Sequence, residues 1–315
     1  MIQPPIILVD ADVARLADMS AVIEAIKGAL LAKATGAFVA PPRHVVSFAG
    51  GGDLVFTVGG SERLGGFRAY VSKPSDGHAP DQLVAIWDMT SAAIQGVVLG
   101  EKLGAIRTGA IGGVAVDVMA NMQATTVAVI GTGRQAATQL EAVACVRNVG
   151  EVRVFGRSAD NLRAFASTMA SRLGLAVDAA PSPREAVEGA DVVVIATTSL
   201  SPVIRADWLK AGAHVNSVGL KGKVAHETGL DLAERADLIA TDSPAQIAAY
   251  GDDFMLAGTP HMERVTDLAD LLAGKVPGRA DSDAVSLFYS IGLAGTEVVA
   301  AATIVAAARA ANRAP

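Results

Sequence analysis

The stretch Val127-Ala-Val-Ile130-Gly131-Thr132-Gly133-Arg134-Gln135-Ala136, running on in helical pattern to Val143, constrains this chain more than any other. Four apolar residues suited to a buried strand lead into a glycine turn, and a helix follows. This is a G-x-G-x-x-A dinucleotide fingerprint in its strand–turn–helix setting. Gly131 permits the tight turn, Gly133 lets the backbone approach a pyrophosphate, and Ala136 keeps the helix close to the sheet. Arg134 and Gln135 open the helix, whose N-terminus offers unpaired N–H groups and the positive end of its dipole. A second strand, residues 151–155, ends in Gly156-Arg157-Ser158. A chain that holds the ribose 2′-hydroxyl of NAD places an acid at this point. Here Arg157 stands ready for a 2′-phosphate and Ser158 for a hydrogen bond to it. The expected cofactor is NADP(H), with NAD(H) left open; the alternative is that Arg157 is a solvated turn residue.

The pattern continues with helices at 159–173 and 182–188 and strands at 191–196 and 214–218, Ser182-Pro183-Arg184-Glu185 reading as a cap and first turn. Strands alternating with helices predict an α/β fold, a doubly wound parallel sheet of Rossmann type. The preceding segment has a different rhythm. A helix is expected at 20–35, capped by Ser20. Short strands follow at 53–58, 66–72, 82–87 and 93–99, with a turn at Ser75-Asp76-Gly77-His78, and then a helix at 104–119. That is a small α+β domain. Residues 282–311 read as a long apolar helix returning to it. The expected division is a substrate-binding and dimerisation domain of 1–120 with 282–315, and a nucleotide domain of 121–281.

The 315 residues suffice for two domains, and 51% hydrophobic against 18% charged residues builds large cores. A net charge of −6 with no basic stripe argues against nucleic acid. The single cysteine, Cys145, rules out a disulfide within one chain and is expected in the core. No membrane span or leader is expected, so the reading is a soluble, cytoplasmic protein. The five histidines are scattered without metal-binding spacing, so no metal site is expected. No G-x-S-x-G element suggests a hydrolase. Trp87 and Trp208 are expected to fill structural positions.

Three cations of the first domain stand out: Arg43 just before a strand, Lys73 at a strand end, and Arg107 in the otherwise apolar Ala105-Ile-Arg-Thr-Gly-Ala110. A cation in apolar surroundings needs an anionic partner, and a substrate carboxylate or cofactor phosphate would serve. Surface ion pairs are the alternative for each. These residues, with Arg107-Thr108-Gly109-Ala110 ahead of Gly131-Thr-Gly-Arg-Gln135, then Ala196-Thr-Thr-Ser199 and Asn216-Ser-Val-Gly219, resemble the ornithine cyclodeaminase/mu-crystallin family over essentially the full length. The resemblance implies a homodimer formed through the N-terminal domain. It implies that Arg43 and Lys73 hold a substrate carboxylate, with Lys73 also near the reacting nitrogen, and that Arg107 contacts carboxylate and cofactor. Thr197, Asn216, Val218 and Gly219 would line the nicotinamide side.

The chain departs from the family in Gly219-Leu220-Lys221-Gly222-Lys223. Lys221 stands where cyclodeaminases and alanine dehydrogenases of the family carry an acid/base Asp. A lysine there is cationic unless desolvation lowers its pKa, or it is simply an exposed loop residue. Asp242 and the Asp252-Asp253 pair are other carboxylates that could face a cleft. Mu-crystallin-like ketimine reductases also lack the Asp. The expectation is therefore an NAD(P)H-dependent reductase of a small cyclic or α-imino acid, with Arg43, Lys73, Arg107 and Lys221 as its catalytic residues. The alternatives are ornithine cyclodeaminase activity, and a non-catalytic mu-crystallin-like carrier of NADPH or another ligand.

Overall fold

The computed structural model describes residues 4–49, 51–72 and 81–311. In chain order they form β1 (Ile6–Leu8), α1 (Asp10–Leu16), α2 (Met19–Ala34), β2 (His44–Ser47), β3 (Asp53–Gly60), β4 (Leu64–Ser72), β5 (Gln82–Asp88), β6 (Ile94–Leu99) and α3 (Lys102–Met119). Then come β7 (Thr126–Ile130), α4 (Arg134–Val146), β8 (Glu151–Phe155), α5 (Ala159–Leu173), β9 (Val177–Ala179), α6 (Pro183–Val187), β10 (Val192–Ile195) and β11 (His214–Ser217). The chain ends with α7 (Leu230–Arg235), β12 (Leu238–Thr241), α8 (Pro244–Tyr250), β13 (Val265–Asp267), α9 (Leu268–Leu272), β14 (Ser286–Tyr289) and α10 (Thr296–Ala311), with three short 3-10 turns between them.

Two units result, one made of the residues up to Arg107 and from Gly292 onward, the other of Thr108–Ile291. These bounds differ from those expected. Most of α3 belongs with the second unit. The stretch read as one helix from 282 contains β14, which pairs with both β11 and β12 inside the second unit's sheet. A fully buried strand and a buried helix carry the same unbroken apolar signal, so the sequence did not separate them.

In the first unit β2 to β6 form an antiparallel meander and β1 adds in parallel beside β6. The helix α10 packs on β3, β4, β5 and β6 and against α2. Its first turns, Thr296 to Ala301, are buried all round, which its small alanines allow. The opposite side of the sheet presents Phe56, Val58, Phe67, Trp87 and Met89 around a shallow depression, with Val58 and Met89 more than half exposed. Trp87 stacks on Phe67 there. The cap of α2 is Asp18, which accepts from the Ser20 and Ala21 amides, rather than Ser20. The expected turn at 75–78 lies outside the described residues.

In the second unit eight parallel strands run in the order β13-β12-β14-β11-β10-β7-β8-β9. Their apolar runs are buried on both faces, as parallel sheets require. Cys145 is exposed instead of buried. The buried stripe of α4 passes through Ala136, Leu140 and Val143, and two residues further on the helix has turned to solvent.

One face of β11 is polar. His214 and Asn216 are fully buried. The ring of His214 lies 2.8 Å from Ser286 Oγ and 2.7 Å from Asn216 Oδ1. The Asn216 amide donates to Gly112 O on α3 and to Gln139 Oε1, and Gln139 donates to Thr108 O. This network ties β11 and β14 to α3 and α4. Burial brings the His214 pKa down from 6.5 to about 3, against the pull of the Asn216 hydrogen bond. The unfolded chain takes up that proton near 6.5 and the folded one only near 3. This group therefore leaves stability untouched above that window and erodes it as pH falls through it, by up to about 1.4 kcal/mol per pH unit. Urea unfolding across the window is expected to show the slope, and His214→Gln to flatten it by about one proton.

Candidate functional site

The residues that the motifs single out in the second unit come together through strand register. Phe155, Ile130, Ile195 and Ser217 sit opposite one another across β8, β7, β10 and β11. Each is the last residue of its strand. The following residues, Gly156-Arg157, Gly131, Ala196-Thr197 and Val218-Gly219, therefore leave from one edge. β7 lies between β8 and β10, where the strand order reverses, and ligands of doubly wound sheets bind at that crevice.

At this point Gly131 has φ +118°, and a Cβ there would stand 2.2 Å from Ala196 O, so only glycine fits. A Cβ at Gly133 would meet nothing within 4 Å, leaving open space in front of α4. Gly133 caps that helix without a side-chain hydrogen bond, whereas Ser158, Ser182, Ser243 and Asp267 cap α5, α6, α8 and α9 with theirs. The Gln135 amide oxygen is buried with no hydrogen-bond partner among the described residues. Ala136 is fully buried under the sheet, and Arg134 is exposed at the helix start. A diphosphate fits this cradle: an uncapped helix N-terminus, glycine backbone open to approach, and an arginine at its rim.

Beyond β8, Arg157 is exposed and makes no hydrogen bond or ion pair among the described residues. Ser158 Oγ accepts from the Asn161 amide, leaving its hydroxyl hydrogen to donate elsewhere. The acid nearest in sequence, Asp160, is paired with Arg163 one turn along α5.

The opposite end of the row is organised by a residue that motif reading did not single out. Glu227 is fully buried. Its Oε2 accepts from Thr197 N and Thr197 Oγ1, both at 2.9 Å. Its Oε1 accepts from Ser217 Oγ and Val218 N at 3.0 Å and from Gly219 N at 2.5 Å. A Cβ on Gly219 would stand 2.3 Å from that carboxylate. The side chain of Asn216, expected at the nicotinamide, points instead into the buried network of β11 and α3. Strand alternation turns it away from the face that Ser217 shares with Glu227.

Lys221 is buried, not an exposed loop residue. Its Nζ donates to Gly219 O at 2.6 Å. Burial brings its pKa down from 10.5 to about 8, with Glu227 and Asp242 pulling it back up. Asp242 is itself fully buried and accepts from the Ile291 amide, while Asp252 and Asp253 are exposed.

In the first unit Lys73 lies outside the described residues, and Arg43 is half-buried ahead of β2. Arg107 has the anionic partner that its apolar setting demands, and that partner belongs to the protein. Its Nη2 lies 3.1 Å from Glu297 Oε1 on α10. The same oxygen accepts from Arg68 Nη1 at 2.9 Å. Arg68, in register with Thr57 and Val84 on the helix-facing side of the sheet, also lies over the Tyr70 ring. Burial pushes the Glu297 carboxyl up, but Arg107 and Arg68 outweigh it and leave it below its ordinary pKa. Arg68 carries a signal related to the one that marked Arg107, a charge at an inward position of its strand; Glu297 was masked by its apolar helix.

The sequence profile of the ornithine cyclodeaminase/mu-crystallin family matches residues 4–312. This chain belongs to that family. Within it, Delta(1)-pyrroline-2-carboxylate reductase of Bacillus cereus is 30% identical over 227 residues, covering 70% of this chain and 68% of that protein. The structure of the Thermococcus litoralis Delta(1)-pyrroline-2-carboxylate reductase with NADH and L-proline superimposes with a TM-score of 0.87 at 26% identity, covering 98% of each chain. An archaeal alanine dehydrogenase dimer with bound NAD gives 0.86 at 25% identity, covering 99% of this chain and 98% of that one. Two other curated relatives are spanned over 56% and 62% of their own length. The family fold is that of NAD-binding Rossmann-like oxidoreductases and cyclodeaminases acting on C–N bonds. Among the described residues of this family member no helix is long and apolar enough to cross a membrane. No group of three metal-ligating side chains is assembled among them either.

Two stability outcomes follow from the buried charges. The unfolded chain keeps the Lys221 proton up to about 10.5 and the folded chain only to about 8. Wild-type protein should therefore gain stability relative to Lys221→Met as pH rises through that interval, measured by denaturant unfolding of both proteins. Removing the shared carboxylate by Glu297→Ala should cost about 3–5 kcal/mol in the same assay, because two guanidiniums lose a buried counter-charge.

Proposed function

We propose that this chain is an NAD(P)H-dependent reductase of a small cyclic or α-imino acid, of the Δ1-pyrroline-2-carboxylate or ketimine type, with NADP(H) preferred. The observation that carries the reading is the register row that gathers the fingerprint, Arg157, Thr197 and Gly219 at one sheet edge. Relatives named as pyrroline-2-carboxylate and ketimine reductases support the substrate class. A bound nicotinamide supplies the hydride that adds to the carbon of C=N. Arg157, free of acidic partners among the described residues, meets the 2′-phosphate, and Gly131, Gly133, Arg134, Gln135 and Ala136 form the diphosphate cradle.

In the first unit Arg43 and Lys73 take the substrate carboxylate, and Arg107 is held for it by Glu297. Nitrogen must gain a proton as carbon gains hydride. Lys221, buried with a pKa near 8, is the acid proposed in place of the family's Asp. A cation here also disfavours the cyclodeaminase reading, which calls for a carboxylate at this position. The apolar sheet face of Phe56, Val58, Phe67, Trp87 and Met89 is assigned to a second copy of the chain, an assignment supported by a structural relative that is itself a dimer. The free thiol of Cys145 suits a reducing, cytoplasmic setting.

The test follows nicotinamide absorbance with pyrroline-2-carboxylate and piperideine-2-carboxylate, NADPH and NADH in parallel. Turnover favouring NADPH is expected. Arg157→Ala should raise KM for NADPH about tenfold or more and leave KM for NADH near wild type, since only one of the two carries the phosphate. No turnover with either imine would overturn the reductase reading. Equal loss with both cofactors would remove Arg157 from phosphate recognition.

A further inference from the structure

Glu227 sits beneath the edge where the nicotinamide end of the cofactor is proposed to lie, and its hydrogen bonding is one-sided. All its partners donate: three backbone amides and two hydroxyls, drawn from the loop after β10 and from the end of β11 with the loop after it. Those loops leave neighbouring parallel strands whose own ladder ends at Ile195 and Ser217. Past that point two backbone bonds cross between them, Val218 N to Ile195 O at the strand ends and Val203 N to Glu227 O further out. Between those two bonds it is the carboxylate that bridges the loops, holding Thr197 on one side and Val218 and Gly219 on the other. The Gly219 peptide is held twice, its N–H by Glu227 and its carbonyl by the Lys221 ammonium. The absence of a side chain at Gly219 is what lets the carboxylate reach the backbone. Glu227 in turn is anchored through its own backbone, its N–H donating to Leu220 O and its carbonyl accepting from Val203 N.

We propose that Glu227 is the positioning residue for the nicotinamide end of the cofactor, fixing the spacing of the Thr197 and Val218-Gly219 loops. This deepens the nucleotide-binding reading and rests on it. Hydride transfer depends on donor and acceptor being held within fractions of an ångström, so a loop spacing set by one carboxylate acts on the reaction without touching the substrate. The adenosine and diphosphate end is built from other parts, Gly131 to Ala136 and Arg157-Ser158, none of which bonds to Glu227.

The chemistry of the clamp distinguishes this from simple bulk filling. A carboxylate only accepts; a carboxamide of the same shape must turn its NH2 toward one of the two loops. Every contacting group there is itself a donor, three of them backbone amides, which cannot accept. Glu227→Gln should therefore break one side of the clamp although it is isosteric, and behave nearly as badly as Glu227→Ala. Glu227→Asp keeps the charge but is too short by one methylene to span both loops.

The experiment uses the full chain and two probes, NADPH and its fragment lacking nicotinamide, 2′-phospho-ADP-ribose. Binding of each is measured by calorimetry for wild type, Glu227→Gln, Thr197→Val and Ser217→Ala, with unfolding midpoints alongside. The two loop variants each delete one hydroxyl donor and leave the carboxylate in place, so they report even where Glu227→Gln does not fold. The expected result is fragment affinity within about twofold of wild type for every variant. NADPH affinity should fall about tenfold or more for Glu227→Gln and severalfold for the loop variants, with kcat reduced at saturating cofactor. The proposal is overturned if NADPH binding is unchanged, or if fragment and NADPH binding fall together. Wild-type protein that binds neither probe overturns the nucleotide reading itself, an outcome separate from either of those.

Discussion

Eight strands of the second unit run the same way, so every loop that leaves a carboxyl end emerges on one edge. That single constraint does most of the assembly. Motifs that are far apart in the chain, Gly131 to Ala136, Arg157, Thr197 and Gly219, need no special folding to meet; in-register parallel pairing delivers them. What parallel pairing does not supply is the shape of the loops once the ladder has ended. Backbone N–H groups there have no strand to bond to, and burying them unpaired is costly. A buried carboxylate that takes several at once resolves the difficulty, and Glu227 does so for both loops.

Three buried ionisable side chains illustrate different solutions to the same penalty. His214 gives up its charge and lives as a neutral node among Ser286, Asn216 and the α3 backbone. Glu297 keeps its charge because two guanidiniums meet on one of its oxygens. Lys221 lies between these extremes: burial lowers its pKa, while Glu227 and Asp242 resist the loss of its proton. The first outcome ties strands to helices, and the second fixes Arg68 and Arg107 in place. The third leaves a group whose proton is exchangeable near neutral pH, at the same edge as the proposed cofactor.

The sequence exposed what depends on local periodicity and fixed spacing. The strand–turn–helix around Gly131, the helix α5 to the residue, the meander of β3 to β6 and the capped start of α6 could all be read directly. Less was legible where partners are distant. Arg107 was recognised as a buried cation in need of an anion, but Glu297 lies across the chain inside an apolar helix, and Arg68 was not connected to either. Asn216 lay in a recognisable motif, yet strand alternation sends its amide inward. Glu227 had no local signature, because one acid in a glycine- and lysine-containing loop looks like solvated surface. Cys145 missed the core by its angle around α4.

The first unit is assembled from two stretches of chain separated by the whole of the second. As the ribosome releases this polypeptide, Thr108–Ile291 emerges complete before α10 appears, so the second unit can mature while the first still lacks a covering for one sheet face. Arg68 and Arg107 wait through that entire insertion for the carboxylate of Glu297. A message interrupted just after β14 would therefore yield an intact parallel sheet joined to a first unit stripped of the helix that closes it, a product that quality-control machinery would meet as exposed hydrophobic sheet.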